Sequence, residues 1–146
     1  MCRTTPVATT IVACLSCLMF CAAGCSSTTP TTPSPSAVVA TTTDSFSGTF
    51  GQQGSSTNPF TITTTGSVQI QLTSVAPLAT MAVGVSVNSW DGTTCGAAIA
   101  QNDNARSGNT ALSGTATAGS YCVKVYDSGN VPDTWSVSYT VQVTHP

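Results

Sequence analysis

Few side chains in this sequence can move a proton or hold a metal, and their types and spacing limit the chemistry open to it. There is one His, His145, no Glu, and five Asp: Asp44, Asp91, Asp103, Asp127 and Asp133. General acid–base catalysis needs a His, Asp or Glu with a shifted pKa and a partner within hydrogen-bond reach. His145 stands next to the last residue, where chains commonly fray, and reads as a solvated terminal residue. No Gly-x-Ser-x-Gly elbow offers a nucleophile. The inventory points away from an enzyme. Gln101-Asn102-Asp103-Asn104 gathers hard oxygens of the kind Ca²⁺ takes. Its ligands would be Asn102, Asp103 and Asn104, with Asp91 and Asp127 approaching. Against this, Asn and Asp are good turn formers, and one carboxylate is little charge for a dication. A plain loop is the preferred reading, with no cofactor expected. Aromatic stacking is the remaining chemistry: Trp90 stands beside the Asp91-Gly92 turn signal, and Tyr126 ends a strand on the face opposite Tyr121 and Val123. Either can stack on a sugar ring or a peptide, or, for Trp90, cap the rim of the fold.

The elements that must carry these residues are strands. Val68, Ile70 and Leu72 alternate with Gln69, Gln71 and Thr73, and Met81, Val83, Val85 and Val87 with Ala82, Gly84, Ser86 and Asn88. Trp135, Val137, Tyr139, Val141 and Val143 alternate with polar residues, which assigns Trp135 to the core. Alternate side chains of a strand face opposite ways, so each run has one apolar and one wet face. Such alternation favours antiparallel sheets solvated on one side. Turn signals at Thr65-Gly66, Asp91-Gly92, Ser107-Gly108-Asn109, Ala118-Gly119 and Ser128-Gly129-Asn130 separate the runs. The pattern predicts strands near 45–50, 59–64, 67–74, 80–88, 96–101, 110–117, 120–127 and 134–144. About eight short strands and no helical periodicity predict an all-β, antiparallel two-sheet β-sandwich of jelly-roll type.

Charge and cysteines narrow the setting. Charged residues make up 5% of the chain, against about 25% in an average protein. No basic stripe is available for phosphates, so nucleic acid is not an expected partner. Met1 to Pro6 carries Arg3, Val7 to Phe20 is apolar, and small residues lead to Gly24-Cys25. That is the layout of a secretory signal peptide. Ser26 to Thr43 is mostly Ser, Thr and Pro, a composition that cannot bury enough apolar surface to fold. Cys2, Cys14, Cys17 and Cys21 would leave with the signal. Beyond Cys25, Cys95 and Cys122 would then remain as an even pair in an oxidising compartment, where a disulfide is the default and two buried thiols the alternative.

Ala22-Ala23-Gly24-Cys25 resembles the lipobox of bacterial lipoprotein precursors, with Ala22 where Leu is usual. The resemblance implies cleavage before Cys25, a lipid on Cys25 and attachment to a membrane; ordinary secretion is the alternative. The organisation expected is a signal peptide over 1–24, a lipidated Cys and tether over 25–43, and a sandwich over 44–146. Within the last, Phe46-Ser47-Gly48-Thr49, Phe60-Thr61-Ile62, Gly66-Ser67-Val68-Gln69-Ile70-Gln71-Leu72-Thr73, Ala118-Gly119-Ser120-Tyr121-Cys122-Val123-Lys124-Val125-Tyr126-Asp127 and the Trp135 to Val143 run resemble the bacterial pre-peptidase C-terminal domain. That family implies a jelly-roll module that accompanies secreted hydrolases. Some members bind calcium through acidic clusters near the N-terminal end, where this chain has only Asp44. Met81-Ala82-Val83-Gly84-Val85 also replaces the family's acidic central strand. Together these readings lead us to expect a non-catalytic module of the bacterial cell envelope, lipid-anchored, binding a glycan or a protein. The alternative is a structural envelope component without a small ligand.

Overall fold

The computed structural model describes residues 39–146. The expected signal peptide, the lipid site at Cys25 and most of the tether lie outside the described residues. Eight strands follow: β1 (Thr42–Gly51), β2 (Ser55–Ile62), β3 (Gly66–Ala76), β4 (Val83–Trp90), β5 (Cys95–Ala105), β6 (Asn109–Ala116), β7 (Gly119–Tyr126) and β8 (Ser136–His145). All pair antiparallel, in two four-stranded sheets ordered β1-β8-β3-β6 and β2-β7-β4-β5. The pairs β4/β5, β3/β6, β2/β7 and β1/β8 are nested. The described residues thus form one long hairpin, folded at the β4–β5 turn and rolled into a sandwich, which is the jelly roll that the alternation predicts.

The apolar phase of each strand points between the sheets. Val137, Tyr139, Val141 and Val143 of β8 meet Val123 and Val125 of β7 and Val83 and Val85 of β4, all essentially inaccessible to water. Fully burying each such side chain contributes about 1.5–3 kcal/mol. In β3 the register shifts between Leu72 and Ser74. The extra residue, Thr73, lets Leu72 and Val75 both reach the core although their spacing is odd.

Edge strand β5 is the least regular. Its pairing with β4 shifts register three times, and nearly all of it is exposed. Bulges of this kind twist an edge away from further strand pairing. They also account for one departure from expectation: Asn102, Asp103 and Asn104 belong to β5, not to a loop. The Asn104 N–H donates to Asn102 Oδ1 at 2.9 Å, a local bond that fits the register shift between Val83/Ala105 and Val85/Asn102.

Three further expectations are corrected. Trp135 is not a core residue: it is 37% exposed. It precedes β8 in a turn where Thr134 has φ 68° and the Trp135 N–H donates to Pro132 O at 3.2 Å. His145 is not a solvated end: it is 4% exposed. Its Nε2 lies 3.1 Å from Asp44 Oδ2, and its ring centroid 5.5 Å from that of Phe60. Pairing of His145 with Thr42 carries β8 to its end and holds the ring in place. The sheet begins at Thr42 rather than Asp44, so the last two residues of the expected tether are part of β1.

Candidate functional site

The outward face of the β2-β7-β4-β5 sheet is where the chemistry-bearing residues collect. β4 sends Val83 and Val85 inward, which leaves Gly84, Ser86 and Asn88 on the outer side of a central strand. These small residues form the floor of a trough. Register sets its walls: Tyr126 pairs with Gly84, Lys124 with Ser86 and Cys122 with Asn88 on the β7 side. Gln101 pairs with Ser86 and Ala98 with Asn88 on the β5 side. The depression is about 330 Å³ and is lined by Ser86, Asn88, Ala98, Gln101, Asp103, Lys124 and Tyr126. Gly84 to Asn88 spans roughly 13 Å at the rise of a strand.

Tyr126 lies across β4. A Cβ on Gly84 would collide with Cε2, Cζ and Cδ2 of the ring, so the ring rests on bare backbone that only glycine provides. From there its hydroxyl donates to Oδ1 of Asp103 on β5. Burial, with the hydrogen bond to Asp103 and its negative charge added, pushes the Tyr126 hydroxyl from 10.0 up to about 12. The phenol is therefore a neutral donor at any physiological pH. Gln101 Nε2 donates to Oδ2 of the same carboxylate at 3.4 Å, and Lys124 Nζ stands 5.9 Å from the Tyr126 ring centroid. On the floor, Ser86 Oγ donates to Asn88 Oδ1 at 2.8 Å, and Asn88 Nδ2 donates to Gly96 O at 2.8 Å. The trough presents a flat ring, a carboxylate, an ammonium and amides within one short stretch, which suits a ligand rich in hydroxyl groups.

The other expected site residues fall elsewhere. Trp90 is half-buried at the far end of β4, paired with Cys95. Six residue steps along the strand lead from Gly84 to it, about 20 Å, so Trp90 and Tyr126 do not share a patch. Asn102 and Asn104 do not converge on Asp103: Asn102 Nδ2 donates to Ala111 O at 2.9 Å, while Asp103 faces Tyr126. Asp91 and Asp127 are committed to their own turns. Asp91 accepts from the backbone of Thr94 and Thr93 and then from their hydroxyls, which holds its carboxyl far below the usual range. Burial works to raise Asp127, but N–H groups of Gln53, Val131, Gly129 and Asn130 outweigh it and leave the carboxyl lowered. Among the described residues no three His, Cys, Asp or Glu side chains cluster as metal ligands would.

Cys95 and Cys122 are joined, with Cα atoms 6.0 Å apart, inside disulfide reach. The bridge ties edge strand β5 to β7 across the position of β4, on the same outer face as the trough. Cys122 alternates with inward Val123 yet is fully buried.

The sequence showed Gly84, Ser86 and Asn88 as the wet phase of β4 but gave no reason to single them out. What could have marked them is their size: a central strand whose outer residues are this small leaves room between two larger neighbours. No protein-family model and no curated protein matches the chain.

Proposed function

We propose that this is an exported, lipid-anchored module of the bacterial envelope that recognises a glycan, without catalysis, along the trough over β4. The observation that carries the reading is Tyr126, laid flat on Gly84 with its hydroxyl fixed to Asp103. A ring pinned at both ends is a stacking platform that loses little entropy on binding. Beside it, Asp103 keeps lone pairs free for ligand hydroxyls, and Gln101 and Lys124 add donors. Lys124 and Asp103 are opposite in charge, so the trough has no strong field of either sign, which matches a neutral sugar better than a nucleotide or an anionic polymer. The trough is lined by polar and charged side chains with Ala98 the one aliphatic exception, whereas protein interfaces draw on a more apolar centre. The lipobox resemblance and the Ser/Thr/Pro stretch supply the anchor and the reach.

One observation favours the structural alternative: the floor is closed by its own hydrogen bonds, and among the described residues no buried side-chain polar atom lacks a partner. A panel of neutral and charged oligosaccharides probed with the purified protein separates the two. Saturable binding of a neutral glycan, lost in Tyr126→Ala, supports recognition. No binding across the panel supports a structural component.

A further inference from the structure

A second cavity lies between the sheets rather than on them, at the open rim where β5 faces β6. It measures about 300 Å³, roughly twice the 150 Å³ apolar cavity that suffices to hold benzene in another protein. Its deep end is core: buried Ile62 and Ile70 line it, with half-buried Val87 beside them. Its mouth carries Leu112 and Ile99, and Ile99 is 63% exposed.

One residue on its wall, Gly114, has no side chain to fill it. In β6, Leu112, Gly114 and Ala116 pair with Ile70, Val68 and Gly66 of β3. Val68 and Ile70 point into the core, and Gly114 shares their face, exposed at the open rim. A Cβ built on Gly114 meets nothing within 4 Å. Glycine inside a strand is costly, and here no turn, bulge or close backbone approach requires it. What the glycine leaves is an apolar slot.

Charge defines the guest. No charged side chain lines the slot; its only polar side chains are the hydroxyls of Ser113, Thr115, Thr117 and Tyr121. The Tyr121 hydroxyl is already hydrogen-bonded to Thr117 O at 3.0 Å. A charged group inside would lose its hydration and find no counter-charge. Hydrocarbon fits, with a neutral polar end at the hydroxyl rim. We propose that the slot between β5 and β6 binds the alkyl chain of an uncharged lipid. This site is separate from the trough, and neither depends on the other.

The test uses purified protein and 1-decanol, followed by amide chemical shifts. The amides of Gly114, Ala116 and Ile99 are expected to move saturably, while those of Ser86 and Asn88 stay still. Gly114→Leu fills the slot and should weaken decanol binding at least tenfold; Gly114→Val, which adds less bulk, should give an intermediate loss. Unchanged strand amide patterns in the variants show that the fold survives. The proposal is overturned if no saturable shift occurs, if both folded variants bind decanol as wild type does, or if benzyl alcohol binds as tightly as decanol.

Discussion

Two glycine-to-alanine changes of identical chemistry should have opposite effects. At Gly114 a Cβ meets open space, so Gly114→Ala removes the entropic cost of glycine in a strand and should stabilise by about 0.5–1 kcal/mol. Gly84→Ala would gain the same amount, but its Cβ falls within the space of the Tyr126 ring. The ring must lift. Overpacking of this kind costs about 1–3 kcal/mol. The displaced hydroxyl also loses its bond to a charged acceptor, about 1.5–3 kcal/mol in general, taken at the low end here because the site faces water. Crediting the glycine gain, the net loss is about 1.5–4 kcal/mol, or a fall in Tm of about 6–20 °C for a domain of this size. Thermal and urea unfolding give the stability, and ultraviolet titration of the phenols gives the geometry. In wild type one tyrosine should titrate near 12; in Gly84→Ala that tyrosine should move back toward 10. The reasoning is refuted if both variants shift stability in the same direction, or if Gly84→Ala leaves the titration unmoved.

Three more outcomes are expected. Replacing both Cys95 and Cys122 by Ser opens a cross-link of sequence separation 27, which by chain entropy lowers stability by about 3.5 kcal/mol, measured by urea unfolding without reductant. Asp91 and Asp127 have folded pKa values below the ordinary 3.8, so the stability they give is whole above that value and drains as pH falls through and below it; the Asp91→Asn, Asp127→Asn double variant should show a flatter loss of stability between about pH 4 and pH 2. In a bacterial host, the wild-type chain should enter the detergent phase and Cys25→Ser should stay in the aqueous phase, since stable anchoring needs the acyl chains; equal partitioning would reject the lipobox reading.

Much of the fold was legible because its signal is local. Where side chains alternate, as in β4 and β8, the strands fall within two or three residues of where the pattern puts them. Where bulges break the period, as in β5, residues rich in Asn and Asp imitate a loop, and Asp103 is misplaced. Trp135 continues the alternation of β8 on paper, but the left-handed Thr134 turns it out before the ladder begins. His145 is held by Thr42 and Asp44, residues a hundred positions away, and no local pattern carries that. The trough has the same character. Tyr126 and Asp103 each stand out in the sequence, for stacking and for calcium, yet they meet only because β4 lies between their strands and offers glycine at the crossing point.

The central claim is that a glycan is held on Tyr126 in the trough over β4. The most direct measurement is the Kd of an array-selected neutral glycan for wild type, Tyr126→Ala and Trp90→Ala, at low and moderate salt. Loss of a buried aromatic anchor is worth about 2 kcal/mol, close to 30-fold in Kd. Tyr126→Ala should weaken binding by about that factor, Trp90→Ala should leave it unchanged, and salt should matter little. Wild-type affinity in Tyr126→Ala, or a loss confined to Trp90→Ala, would contradict the account.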